Sequence, residues 1–90
     1  MKQKRIRILI EGRLQGMNFR LQTQQAAKGL DLVGFVRTLS DGRVEIEAQG
    51  HEDNLEKLLE WVQQEPHSSQ IRSILFRYDD PVSYSEFNVR

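Results

Sequence analysis

The sequence predicts an α+β sandwich in which two helices cover one face of an antiparallel sheet. One observation is that apolar residues alternate with polar ones in segments typical of strands, and another is that they recur at helical spacing in two other segments. These segments follow one another in the order β-α-β-β-α-β, with a short strand at the end. The 90 residues have the length of one domain, 1–90.

The first two elements are a strand over 4–12 and a helix over 19–30. The strand alternates isoleucines with charged side chains, and its inward residues are Ile6, Ile8 and Ile10. In the helix, the residues near one face are Phe19, Thr23, Ala26, Ala27 and Leu30. Asp31 follows as a residue that tolerates the left-handed conformation at a helix end.

A β-hairpin is predicted next, with strands over 32–39 and 43–49. Gly42 supplies the positive φ that the turn between them requires. The second strand alternates strictly, with inward residues Val44, Ile46 and Ala48 and outward residues Glu45, Glu47 and Gln49. We expect the outward face to be solvated and Phe35, in the first strand, to pack in the core.

The remaining predicted elements are a helix over 53–64 and strands over 71–78 and 84–89. Asp53 and Glu56 have capping-box spacing. The buried stripe of the helix consists of Leu55, Leu58, Leu59 and Val62. Right-handed crossovers make the ferredoxin-like arrangement the natural closure of these elements.

Composition excludes several classes of function. Without cysteine, the chain forms no disulfide, thiolate metal site or cysteine nucleophile. The net charge is zero, although residues 1–40 carry eight Lys or Arg and two acidic residues. The zero net charge of the whole chain argues against a dedicated nucleic-acid binder. No continuous apolar run is typical of a signal peptide or membrane span, so we expect a cytoplasmic protein without a membrane partner.

The segment between the first strand and the first helix, 12–20, is the candidate site. Its sequence is GRLQGMNFR. A short glycine-containing loop that leads into a helix turns successive backbone N–H groups toward one point. Together with the helix dipole these groups form an anion site, to which Arg20 adds a planar cationic fork.

This segment resembles the signature of the acylphosphatase family, G-x-V-Q-G-V-x-F-R. Leu14 and Met17 stand in place of the two valines, and the other positions match: Gly12, Gln15, Gly16, Phe19 and Arg20. Residues 34–38 (GFVRT) and 41–45 (DGRVE) resemble the family's G-W-V-R-N and D-G-x-V-E motifs, and 87–90 (FNVR) resembles its F-x-I-R ending. The resemblance extends from about residue 5 to residue 90.

The resemblance implies hydrolysis of acyl phosphates without a metal or cofactor. By this resemblance, the residues that bind the phosphoryl group of an acyl phosphate, or inorganic phosphate, are Gln15, Gly16, Met17, Asn18, Phe19 and Arg20. The catalytic residues are Arg20, which stabilises the phosphoryl charge, and Thr38, at the position where the family has an asparagine that orients the attacking water.

Thr38 is the main departure from the family pattern, and it leaves two outcomes open. Threonine is shorter than asparagine, stiff at χ1 and lacks the separate carbonyl and amino groups. The chain is then either a slow enzyme or a catalytically impaired relative that binds anions. Asn18 is an alternative water-orienting residue, and Thr38 is alternatively an ordinary strand residue.

No other site is predicted. His51 and His67 lack ligand spacing, and we interpret both as surface turn residues. A nucleic-acid-binding module of this fold would show stacking aromatics on its third strand, whereas residues 43–49 read RVEIEAQ. No exposed apolar stripe indicates an oligomer, so we expect a monomer.

Overall fold

The computed structural model describes residues 3–14 and 18–90 of the chain. Within these residues, strands and helices follow in the predicted order, with a short 3-10 helix before the fourth strand. The elements are β1 (Gln3–Gly12), α1 (Phe19–Gly29), β2 (Val33–Thr38), β3 (Val44–His51), α2 (Glu52–Val62), the 3-10 helix (Ser68–Gln70), β4 (Ile71–Asp79) and β5 (Phe87–Val89). The predicted α+β sandwich is confirmed.

The strands form one sheet in the order β4-β1-β3-β2-β5. The pairs β1–β3, β1–β4 and β2–β3 are antiparallel, as predicted. The final strand is the exception, because β5 lies parallel to β2 and the sheet is therefore mixed. It is also shorter than the predicted strand over 84–89, since Tyr84 lies over the outer face of the sheet, where its hydroxyl donates to Glu47.

The core lies between the sheet and the two helices. The predicted inward residues of β1 and β3 and the predicted stripe of α2 meet there with side chains of α1. Its fully buried members include Ile6, Ile8, Ile10, Ile46, Leu55, Leu58 and Val62. Both alternation in the strands and helical spacing therefore identified core positions correctly.

The outer face of the sheet is not solvated as expected. Glu47 and Gln49 point away from the helices, yet both are buried. Residues 80–86 cover them: the Tyr84 hydroxyl donates to Glu47 at 2.7 Å, and the Gln49 side chain exchanges two 2.8 Å hydrogen bonds with the backbone of Val82. The alternation predicted correctly that these side chains point away from the helices. It predicted their exposure wrongly, because the segment that covers them lies far along the chain.

Phe35 also differs from its prediction. It is 5% exposed, but it pairs with Glu47 on the outer face and is absent from the core beneath the helices. Its ring packs edge-on against Tyr84, and the guanidinium of Arg90 lies 4.1 Å from the ring centroid.

The start of α2 corrects the predicted capping box. The N-cap is His51, whose Nδ1 accepts a hydrogen bond from the Asp53 backbone N–H at 3.2 Å, and the helix begins at Glu52. His51 is thus a capping residue, a role that Ser, Thr, Asn and Asp fill more often. At the other helix, Asp31 adopts the predicted left-handed conformation, with φ of 56°.

One edge of the sheet exposes apolar side chains. Leu75 and Phe76 of β4 are 64% and 51% exposed, on opposite faces of the strand. Because these two side chains point to opposite faces, they form no continuous stripe together, and the expectation of a monomer stays a prediction.

Candidate functional site

The end of β1 is fixed by a close contact with the 3-10 helix. A Cβ on Gly12 would lie 2.2 Å from the backbone oxygen of Gln70, so only glycine fits this approach. The next residue, Arg13, donates its backbone N–H to the same oxygen at 2.8 Å. These two contacts determine where the loop toward α1 begins.

The start of α1 is suited to receive an anion. Asn18, the N-cap, has φ of 52° and makes no capping hydrogen bond with its side chain. Its backbone oxygen accepts from Gln22 at 2.9 Å, so the helix is in register from its first turn. The first N–H groups of a helix have no intrahelical acceptor, and the helix dipole favours negative charge there.

Arg20 and Thr38 line the same cleft, which has a volume of about 880 Å³. Arg20 is exposed in the first turn of α1, and its Nη1 donates to the backbone oxygen of Arg90 at 3.3 Å. Thr38 is the last residue of β2 and is also exposed. Asn18 lines this cleft as well, whereas Phe19 contributes a side chain that is only 3% exposed and belongs chiefly to the core.

Three of the predicted phosphate-binding residues fall outside the part of the chain that the structure describes. Gln15, Gly16 and Met17 lie outside the described residues. The structure thus brings Asn18, Arg20 and Thr38 together at one cleft.

Sequence reasoning missed several residues of the cleft. Two of them are arginines, Arg13 and Arg43, and two are acidic, Glu11 and Asp41. Arg43 binds Asp41 through its backbone N–H at 3.0 Å and its Nε at 2.8 Å. The backbone N–H of Arg43 lowers the pKa of the Asp41 carboxyl, and the guanidinium adds to this effect. For Arg13 a signal was available in the sequence, because this residue directly follows Gly12 within the candidate segment 12–20.

The histidine interpreted as a surface turn residue is instead buried behind the site. His67 is 4% exposed, and its ring lies 4.5 Å from that of Trp61 and 5.2 Å from that of Phe19. Its Nδ1 lies 3.3 Å from the Trp61 backbone oxygen, and its Nε2 lies 3.2 Å from Gln22 Oε1. His67 therefore contacts the first turn of α1 through Phe19 and Gln22.

Other kinds of site find little support in the described part of the chain. Among those residues, no three His, Asp or Glu side chains are grouped as metal ligands. The described helices, α1 and α2, are both too short to cross a bilayer.

Comparison with known proteins agrees with the sequence resemblance. The sequence profile of the acylphosphatase family matches residues 6–89. An acylphosphatase from Deinococcus radiodurans is 35% identical over 85 residues, covering 94% of this chain and 98% of that protein. One from Salinibacter ruber is 38% identical over 89 residues, covering 98% and 94%. The structure of an acylphosphatase from Coxiella burnetii is similar with a TM-score of 0.88 and 32% identity, covering 98% of this chain and 93% of that one.

Proposed function

This chain belongs to the acylphosphatase family, and we propose that its cleft binds an acyl phosphate and hydrolyses the carboxyl–phosphate bond with Arg20 and Thr38 as catalytic residues. The observation that supports these roles is the shared cleft, which is lined by Arg20, the start of α1 and Thr38. A permanent cation and a helix N-terminus suit a phosphoryl dianion, and a hydroxyl suits a water molecule.

Arg20 binds the phosphoryl oxygens in this proposal. One of its nitrogens is held by the Arg90 carbonyl, and the rest of the planar fork remains for two parallel hydrogen bonds to the phosphoryl group. The first backbone N–H groups of α1 add donors that do not need to reorganise during the reaction. Gln15, Gly16 and Met17 are proposed to complete the phosphate-binding loop.

Thr38 orients the attacking water in this proposal. The water oxygen forms a bond to phosphorus in line with the leaving carboxylate, the bond from phosphorus to the acyl oxygen breaks, and the water proton passes to a phosphoryl oxygen. No metal is required, so we expect activity to persist in a chelating buffer. Because the threonine hydroxyl is shorter than an asparagine amide, we propose that this enzyme is slow.

The test of the Thr38 role is Thr38→Asn, with turnover of benzoyl phosphate and inhibition by inorganic phosphate measured together. We expect kcat to rise roughly 10- to 1000-fold, which is about 1.4–4 kcal/mol of transition-state stabilisation, with phosphate inhibition little changed. A fast unmodified protein that gains nothing would show that the hydroxyl, or Asn18, already holds the water. A variant that stays inert but binds phosphate would favour the second candidate, an anion-binding relative without turnover.

The test of the Arg20 role is Arg20→Ala, with phosphate affinity measured by calorimetry. Loss of a charge-assisted fork should weaken binding by at least ~1.5 kcal/mol, or about tenfold. Arg20→Lys should also bind poorly, because a point charge does not reproduce the fork. The matched control is Arg77→Ala, an exposed arginine of β4 outside the cleft. Equal affinity in Arg20→Ala and the unmodified protein would refute the assignment.

We further propose that the enzyme works as a monomer on small molecules, in the cytoplasm. Nucleic acid is a poor partner, because the outer face of β3 is covered by residues such as Val82 and Tyr84. Sedimentation at increasing concentration tests the monomer, and association that is abolished by Leu75→Lys at the exposed edge would contradict it.

A further inference from the structure

Two exposed apolar side chains stand beside the phosphoryl end of the cleft. Leu21 follows Arg20 in α1 and is 49% exposed, and Val89 ends β5 and is 39% exposed. Single exposed apolar residues are ordinary on protein surfaces. These two differ because both line the cleft that contains Arg20, although they are 68 positions apart in the chain.

The fold explains why neither side chain is buried in the core. The buried face of α1 carries Phe19, Thr23 and Ala27. Leu21 is two positions from Phe19, about 200° around the helix, so it points away from that face. Val89 pairs in register with Val36, which is itself fully buried, and lies at the exposed end of the last strand. Both side chains thus remain accessible to a ligand.

We propose that Leu21 and Val89 form the binding surface for the acyl group and that they select acyl phosphates with an apolar, uncharged acyl group. The inference rests on the proposed function, since it takes the phosphoryl group to be bound at Arg20. Ligand sites typically combine apolar walls with a few polar groups that fix the orientation. Here Arg20 and the start of α1 supply the polar end, and the two apolar side chains supply the wall.

The charges of the cleft argue against an acyl group that carries a second negative charge. Its described lining contains three arginines and two acidic residues: Arg13, Arg20, Arg43, Glu11 and Asp41. Asp41 already neutralises Arg43 at 2.8 Å, and Glu11 adds a second negative charge to the lining. A phosphoryl dianion at Arg20 uses the remaining positive charge. A distal carboxylate on the substrate would therefore meet carboxylates without an unmatched cation.

The test compares three substrates that share the phosphoryl group: benzoyl phosphate, acetyl phosphate and succinyl phosphate, whose acyl group ends in a carboxylate. We expect kcat/KM to be highest for benzoyl phosphate and lowest for succinyl phosphate. In Leu21→Ser and in Val89→Ser, the benzoyl-to-acetyl ratio of kcat/KM should fall about tenfold, the lower end of what a lost apolar contact costs. The control is Leu75→Ser, an exposed leucine outside the cleft, which should leave this ratio unchanged.

A binding measurement separates this inference from the proposed function. Benzoylphosphonate and acetylphosphonate are not hydrolysed at a carboxyl–phosphate bond, so their Kd values can be compared by calorimetry whether or not the protein turns over. A preference for benzoylphosphonate that Leu21→Ser removes would support the inference even in an inert protein. The inference would be overturned, even in an active enzyme, if neither variant changed the ratio of the two Kd values or the benzoyl-to-acetyl ratio of kcat/KM. A preference for succinyl phosphate would overturn it as well.

Discussion

The buried carboxylate of Glu47 on the outer face of the sheet gives the sharpest prediction about stability. Its side chain is 10% exposed and lies 2.7 Å from Arg5 Nη1, 3.3 Å from Arg7 Nε and 2.7 Å from the Tyr84 hydroxyl. The perturbation is Glu47→Gln, which keeps the shape of the side chain and removes its charge. The glutamine oxygen still accepts from Tyr84, but the guanidinium groups of Arg5 and Arg7 lose their buried counter-charge and keep the half-buried Asp79, at 3.9 and 3.7 Å.

The expected loss follows from these contacts. Removing one partner of a fully buried ion pair costs about 3–5 kcal/mol, and a hydrogen bond to a charged group contributes about 1.5–3 kcal/mol. The side chains of Arg5 and Arg7 are 17% and 35% exposed, so water screens part of the effect. We expect Glu47→Gln to lower the free energy of unfolding by about 2–3 kcal/mol. For a domain of this size, that corresponds to a Tm decrease of roughly 10–20 °C.

The assay is urea unfolding, and the matched control is Glu45→Gln. The Glu45 side chain lies on the same strand and face and is 14% exposed, but its partner is more open to water: Arg37, whose Nε lies 2.6 Å from Glu45 Oε1, is 46% exposed. Exposed pairs contribute at most about 1 kcal/mol, so the control should lose far less stability than Glu47→Gln. Equal losses in the two variants would refute the argument that burial by residues 80–86 gives Glu47 its importance.

The pH dependence of this difference tests the charge itself. Burial acts to raise the pKa of Glu47, but the hydrogen bonds from Tyr84 and Arg5 outweigh it and hold the pKa below its ordinary value of 4.5. A carboxyl whose pKa is lowered by folding stabilises the fold above its unfolded pKa, and this stabilisation is lost as the pH falls through the folded pKa. The gap between the unmodified protein and Glu47→Gln should therefore be complete at neutral pH and shrink below about pH 4.5. A gap that stays constant at acid pH would contradict an electrostatic origin.

Two further predictions concern the support of the site. Gly12→Ala places a Cβ against the Gln70 oxygen, so we expect kcat/KM for benzoyl phosphate to fall at least ~10-fold as the loop shifts, and unchanged kinetics would contradict this. His67→Leu keeps an apolar side chain beside α1 but removes the two ring nitrogens that contact the Trp61 backbone oxygen and Gln22 Oε1. It should lower the free energy of unfolding by about 1–3 kcal/mol and weaken phosphate binding in calorimetry, whereas a loss of stability with full phosphate affinity would show that His67 does not position the site.

The elements that the sequence predicted correctly depend on local periodicity. Ile6, Ile8 and Ile10 alternate with polar residues because one side of β1 faces the helices, and all three are at most 1% exposed. The stripe of α2 follows from the same reasoning at helical spacing, with Leu55 and Leu58 fully buried. In both cases the neighbours along the chain carry the information.

The errors have a common physical cause, which is burial by distant parts of the chain. Glu47 and Gln49 lie on the face away from the helices, where a half-exposed sheet would leave them in water, yet both are buried. Residues 80–86 cover them, and because this segment is distant in sequence, the local pattern around either residue does not predict the burial. His67 is similar, because its aromatic neighbours come from α1 and from the end of α2.

The same contrast between local pattern and distant contacts applies to the two ends of the proposed substrate. In the proposed function, the phosphoryl end is bound by residues that are adjacent in the chain, such as Asn18 and Arg20, so a short motif predicts it. The acyl end depends on the parallel pairing of β5 with β2, in which the Arg90 backbone N–H donates to Val36 at 2.8 Å and the Arg90 carbonyl accepts from Arg20. This pairing brings Val89 to a cleft whose other residues lie far from it in sequence. A chain that keeps the phosphate loop and changes β5 would therefore keep the reaction and change the acyl group that it accepts.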